Sequence, residues 1–399
     1  MIQAYSGEFT VSPIPLEMSM NYCSHKCVYC FANLNQPDRQ FDVNGFISQI
    51  KNCKTNNSLT SYLLSNGYPV LISNRVDPFA HSNWRQTLTA IELLNANGNK
   101  IAFQTKGGEG IDEALELLDY SAHWYITIAM FSDEVRKKIE PGAPTIESRF
   151  KLIEKLLSKG HKVSVGINPI VEEWLPFEDF TLLVDKLVSL GVKEYWMELL
   201  HLNHFQTKNL SIKEKNILGD ELLEQMKARD GNYSYLFYCK DYLIEKGVDV
   251  FQINQPLKSN YFNSIHSEYK TLKTHQDFVN YCFEKYPNGG EIKWHEYYNF
   301  MKEDFFEQTF NECDGYVYRT ARNLYTRLKW KPFKTLKQVL ECFWENVDIY
   351  KSLFLNDLFS VLSYEENGES LQYYCKEDNK IIYWFNAKPD AKLRHFINN

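Results

Sequence analysis

Leu16-Glu-Met-Ser-Met-Asn-Tyr-Cys23-Ser-His-Lys-Cys27-Val-Tyr-Cys30-Phe31 is the stretch on which the reading of this chain turns. Leu16–Asn21 reads as a strand that delivers the backbone into a loop with three cysteines, spaced Cys-x3-Cys-x2-Cys, with an aromatic, Tyr29, before the last thiol. Soft thiolates suit iron–sulfur clusters, and three on one short loop can hold three irons of a [4Fe–4S] cube. The fourth iron then keeps an open position, as in catalytic rather than closed metal sites. Two readings compete. His25 could complete a zinc site, although no second Cys-x2-Cys pair occurs in the chain, or the thiols are unrelated.

Working outward, short apolar runs alternate with amphipathic stretches from about residue 14 to 255. Pro69–Ser73, Ile101–Thr105, Trp124–Met130, Lys162–Ile167, Val192–Leu199 and Val248–Gln252 read as strands. Residues 43–54, 84–98, 111–119, 144–159, 177–190 and 235–246 read as helices. Asn97-Gly98 is a helix stop, and Pro144-Thr145 a helix start with Ile146, Phe150, Ile153 and Leu157 on one face. Repeated βα units with apolar strands predict a parallel sheet covered by helices, an open or closed barrel of about six units whose chemistry sits at the C-terminal strand ends. The cysteine loop follows the first strand, so it belongs to that face.

Beyond residue 256 the pattern changes. Residues 276–285, 296–310, 317–328 and 336–350 read as helices, and Leu371–Cys375 with Ile381–Phe385 as a hairpin. The expected division is a 1–255 core and a mainly helical 256–399 region with a small β element, suited to recognising a substrate or partner.

The 399 residues carry a net charge of −7, so no global field draws the chain to nucleic acid. Residues 316–340 are an exception: Arg319, Arg322, Arg327, Lys329, Lys331, Lys334 and Lys337, interleaved with aromatics and without an acid. They could neutralise phosphates and stack on bases, or form the solvated face of an amphipathic helix. No apolar stretch is long enough to span a membrane and no signal peptide is read, so a cytoplasmic protein without disulfides is expected. Cys53, Cys239, Cys282, Cys313, Cys342 and Cys375 are scattered and read as inert buried thiols.

The motif and its place after the first strand resemble the radical S-adenosylmethionine (SAM) enzymes, and further segments resemble their spore photoproduct lyase and DNA repair photolyase-like branch. Ile72-Ser-Asn-Arg-Val-Asp77-Pro78-Phe79 is similar to the Thr-Asp-Pro-Tyr type of turn after the second strand, and Thr105-Lys106 to the Thr-Lys pair closing the third. Glu140-Pro-Gly-Ala-Pro144, followed by Arg149, resembles the segment after the fourth strand. Val165-Gly-Ile-Asn-Pro169-Ile170 resembles the fifth-strand segment against the adenine. The likeness covers roughly residues 14–200.

The resemblance implies a partial (β/α)6 barrel with a [4Fe–4S] cluster on Cys23, Cys27 and Cys30, and SAM at the open iron. Reductive cleavage of SAM to methionine and a 5′-deoxyadenosyl radical follows from it, with a flavodoxin- or ferredoxin-type donor as partner. It points to Ser73, Asn74, Asp77, Lys106, Thr127, Glu140 and Asn168 as SAM contacts. Lys106 would meet the carboxylate as a point charge, or is a surface lysine. Asp77 contacts the ligand or stabilises its own turn; Thr127 faces the ribose or a helix; Glu140 binds sugar hydroxyls or forms a local salt link. Gly107-Gly-Glu109-Gly110 either holds the SAM amine or is a glycine-rich turn. His201 and His204 line the substrate pocket or are incidental, and no catalytic residue is assigned.

Spore photoproduct lyases carry a hydrogen-donor cysteine near the end of the second strand; Leu71–Pro78 has none, which puts thymine-dimer repair in doubt. The substrate is therefore open, with nucleic acid or a nucleotide favoured. Peptide or protein modification is the second enzymatic reading. A non-catalytic iron–sulfur or zinc-containing binding protein is the third.

Overall fold

The structure, a computed structural model, describes residues 1–4, 14, 16–20, 22–30, 42–56, 58–72, 76–200, 202, 204–228, 232–251, 269, 275–303, 336–345, 372–377 and 380–385. Its main sheet contains β1 (Ile2–Ala4), β2 (Leu16–Met18), β3 (Val70–Ile72), β4 (Ile101–Thr105), β5 (His123–Thr127), β6 (Lys162–Ile170), β7 (Glu194–Leu199) and β8 (Asp249–Phe251). The strands lie side by side in chain order. β2 to β8 are parallel, and β1 adds an antiparallel edge to β2. Among the described residues no pairing joins β1 to β8 of this α/β sheet.

Helices Val43–Lys51, Leu59–Ser65, Trp84–Asn97, Ile111–Glu116, Asp133–Ile139, Ile146–Ser158 and Phe177–Ser189 fill the crossovers up to β7; four more, the last being Tyr233–Glu245, precede β8. Local chemistry sets their ends. Thr145 accepts from the Ser148 amide at the start of Ile146–Ser158, and Gly98 closes Trp84–Asn97 at φ 82. Asp133–Ile139 has no clear apolar stripe in its sequence. Arg136 takes a buried position there because its Nη1 donates to the carbonyls of Glu140 at 3.2 Å and Ala143 at 2.9 Å.

Strand alternation separates the two faces. Leu16, Val70, Ile101, Phe103, Trp124, Val163, Val165 and Met197 pack in the same apolar cluster as the helices, with Phe103 and Trp124 stacked at 4.1 Å. The intervening residues point the other way, where Leu71, Ala102, Tyr125 and Trp196 form a separate cluster with Ile14 and Tyr269. Thr127 and Asn168 alternate onto this second face, in step with Tyr125 and Gly166.

The 256–399 region supplies helices His275–Lys285, Trp294–Lys302 and Leu336–Glu345, and a small antiparallel sheet ordered β10 (Gln372–Glu377), β11 (Lys380–Phe385), β9 (Gly290–Ile292). The hairpin is found where the sequence places it, joined by a strand its pattern did not mark. The 317–328 helix lies outside the described residues. Phe278, Cys282, Tyr297, Leu340 and Tyr383 belong to the same apolar cluster as the main sheet, so the core runs across residue 256.

Candidate active site around the cysteine loop

The cysteine loop leaves the C-terminal end of β2 and is held by the turns that follow β3, β4 and β5. The Cys30 amide closes a turn on the Cys27 carbonyl at 3.1 Å, and the Val28 amide donates to the Ile139 carbonyl at 2.9 Å. Ser24 and Ser82 exchange amide-to-hydroxyl bonds of 3.2 Å, and Asn83 Nδ2 donates to the carbonyls of Tyr22 and Asp77 at 2.8 Å each. The loop is thus docked as one piece on the C-terminal rim of the sheet.

Asp77 is the polar centre of that rim. Its carboxylate accepts from the Phe79 amide at 3.0 Å, Thr105 Oγ1 at 2.7 Å and the Lys106 amide at 2.6 Å, and it stands 3.2 Å from His25 Nε2. Burial pushes its carboxyl pKa up, but His25 and the donated hydrogen bonds outweigh burial and hold it below the usual value. The Asp77 side chain is therefore committed to the protein. Its turn-stabilising role is the one the geometry displays.

Beside the loop, Glu140 and Arg149 form a fully buried ion pair. Arg149 Nη1 also donates to the Thr127 carbonyl at 3.0 Å and Nε to the Pro144 carbonyl at 3.2 Å; Tyr29 donates its hydroxyl to Glu140. Lys106 Nζ is 3.8 Å from Glu140 and 5.7 Å from the centre of the Tyr29 ring. Burial raises the Glu140 carboxyl pKa, yet the two cations hold it below the ordinary range; burial lowers Lys106, yet Glu140 and then Cys27 hold it above. Lys106 and Arg149 both face Glu140, and Lys106 also lies within electrostatic reach of Cys27.

The donor set fits an iron–sulfur cluster. Burial and then Asp77 push Cys23 up to about 12, while burial and Glu140 raise Cys27 against the pull of Lys106. Such buried thiols ionise when a metal takes the place of the proton. Among the described residues no group of three His, Cys, Asp or Glu side chains could hold a single metal ion. In a cluster each thiolate has an iron of its own.

Of the other sequence candidates, Ser73, Asn74 and His201 lie outside the described residues, as does the basic run from 316 to 335. Asn168 donates its Nδ2 to Glu198 Oε2 at 3.3 Å and precedes Pro169 through a cis bond. Glu109 turns outward to His81 Nδ1 at 2.7 Å while its amide bonds the Phe79 carbonyl, and Gly110 at φ 76 opens the next helix. The Gly107–Gly110 stretch is a tight glycine turn: a Cβ at Gly108 would stand 1.9 Å from the Phe79 carbonyl oxygen. Sequence reasoning left Ser82, Asn83 and Trp174 unmarked. Trp174 stacks on Tyr29 at 5.6 Å.

A parallel βα sheet thus carries a loop of three thiols at its C-terminal rim. Residues 18–181 match the Radical SAM superfamily, whose enzymes use a [4Fe–4S] cluster and SAM. No curated protein matches the chain. Among solved structures, Streptococcus suis SuiB bound to S-adenosylmethionine is 17% identical over 62% of this chain and 50% of its own, with a TM-score of 0.39. Spore photoproduct lyase complexed with dinucleoside spore photoproduct is 18% identical over 50% of this chain and 61% of its own, with a TM-score of 0.37. The chain thus spans between half and about three-fifths of those proteins.

Proposed function

We propose that this chain is a radical SAM enzyme in which Cys23, Cys27 and Cys30 ligate three irons and leave the fourth to SAM. The observation that carries the reading is the docking of the thiol loop on the C-terminal rim of a parallel sheet, with the Lys106 cation beside it. Cluster and SAM together supply a one-electron cleavage that yields methionine and a hydrogen-abstracting 5′-deoxyadenosyl radical.

The residues divide by what they do. Lys106 offers a charge to an anionic group of SAM, and Tyr29 and Glu140 hold that charge in place. Asp77 fixes the Lys106 backbone, and Arg149 fixes Glu140. Thr127 and Asn168 face away from the helices and take the ribose and adenine side; Ser73 and Asn74 are assigned to SAM from their sequence segment. Reduction comes from a flavodoxin- or ferredoxin-type partner. Among the described residues no helix is long and apolar enough to cross a membrane, in keeping with a cytoplasmic setting.

For the substrate we favour nucleic acid or a nucleotide, recognised by the 256–399 region through the basic and aromatic run at 316–340. Anaerobic reduction with SAM tests the chemistry. The reconstituted protein should release 5′-deoxyadenosine, and the Cys27→Ala variant should not; iron loading without any cleavage would favour a non-catalytic binding protein. Salt-dependent DNA or RNA binding, lost on reversing the charges of Arg322 and Arg327, tests the substrate class. Absent or unchanged binding would move the reading to peptide or protein modification.

A further inference from the structure

We propose that His25 is the positioning residue of the cysteine loop, a brace that locks it onto the turns after β3, β4 and β5, and that it is not a metal ligand. The inference rests on the reading of Cys23, Cys27 and Cys30 as cluster ligands.

His25 is 3% exposed, and both ring nitrogens are engaged. Nδ1 lies 3.0 Å from the Gly142 carbonyl, and Nε2 lies 3.2 Å from the Gly107 carbonyl and 3.2 Å from Asp77 Oδ2. All these partners are acceptors, and both ring nitrogens are directed at them. Coordination needs a nitrogen lone pair free of such a partner.

The backbone repeats the grip. The His25 carbonyl accepts from the Gly142 amide at 2.9 Å, so ring and main chain clasp the same glycine. Gly142 has no room for a side chain: a Cβ there would stand 2.3 Å from the Ser24 carbonyl oxygen. Through Asp77, which also binds the Lys106 amide at 2.6 Å, the same imidazole ties the thiols to the residue offered to SAM. One side chain thereby fixes the relative position of cluster ligands and cofactor cation, as outer-shell partners of metal sites do.

The test compares wild type with His25→Asn, which can reach fewer of these acceptors. Both are reconstituted anaerobically with ferrous iron and sulfide, challenged with a chelator, and reduced for electron paramagnetic resonance with and without SAM. The expected result is iron loss about 10-fold or more faster, with an altered cluster spectrum and a weakened spectral response to SAM. A variant that only melts at lower temperature, with wild-type spectra and SAM response, would reduce His25 to a structural residue and overturn the proposal. Wild type that takes up no iron would instead sink the cluster reading beneath it. Should His25→Asn fail to fold, modification of wild type by diethylpyrocarbonate decides. Protection of His25 in metal-free protein supports the brace, whereas reaction there followed by protection on iron loading would mark a ligand and overturn it.

Discussion

Gly142 shows at the scale of one residue how closely the thiol loop is fitted. A methyl group there meets backbone on the loop, which cannot give way as a flexible side chain would. Gly142→Ala should destabilise the metal-free protein by about 1–3 kcal/mol and weaken iron retention, read by thermal melting and a chelator challenge. His123 gives a second prediction, far from the cysteines. It is buried, its Nε2 bonds Ser164 Oγ at 2.8 Å, and Ser164 in turn donates to Glu194 at 2.7 Å. Burial, and then Lys162, lower its pKa from 6.5 to about 4. Between those values the unfolded chain binds the extra proton and the folded one does not, so stability falls as pH drops from about 6.5 to 4. The loss is on the order of 3 kcal/mol. Urea unfolding across that range should show a smaller loss in His123→Gln; equal slopes would contradict the assignment. The cysteines were legible because their spacing is local. The role of His25 was not, because its partner Gly142 is 117 residues away.

At the scale of elements, the strands were readable because two-sided burial makes them short apolar runs, and Ile101–Thr105 is found where its pattern places it. Leu59–Ser65 and Asp133–Ile139 were not readable. The first is short and the second buries Arg136, so neither shows a plain apolar period. Helix Ile146–Ser158 was legible, but its sheet-facing residues include Leu152 and Leu156, and Leu157 is only partly buried. The same helix carries Arg149 to Glu140. Arg149→Met should cost about 3–5 kcal/mol, because it strands a buried carboxylate. Glu140→Gln in the same chain should recover part of that loss in a double-mutant cycle of urea midpoints. In the strands, Gly166 is required by its neighbour: a Cβ there would stand 2.0 Å from the Tyr125 hydroxyl. Gly166→Ala should lower the melting temperature, and Tyr125→Phe in the same chain should restore part of it.

At the scale of the molecule, the 1–255 and 256–399 regions differ in pattern but share packing. Tyr269 accepts from the His123 amide at 2.8 Å and donates to the Ile101 carbonyl at 3.0 Å, capping the N-terminal ends of β4 and β5 from beyond the expected boundary. Removing residues 256–399 should therefore destabilise the sheet that remains, and Tyr269→Phe should reproduce about 1–3 kcal/mol of that loss in urea unfolding. Composition marked the change of character at 256. It could not show a tyrosine returning to the sheet. The proposed chemistry depends on the three thiols, and metal analysis of anaerobically reconstituted protein tests them most directly. Iron and sulfide should bind in equal amounts with visible cluster absorbance, and both should be lost in Cys23→Ala, Cys27→Ala and Cys30→Ala. Stoichiometric zinc without iron-dependent absorbance, or iron binding indifferent to all three substitutions, would contradict it.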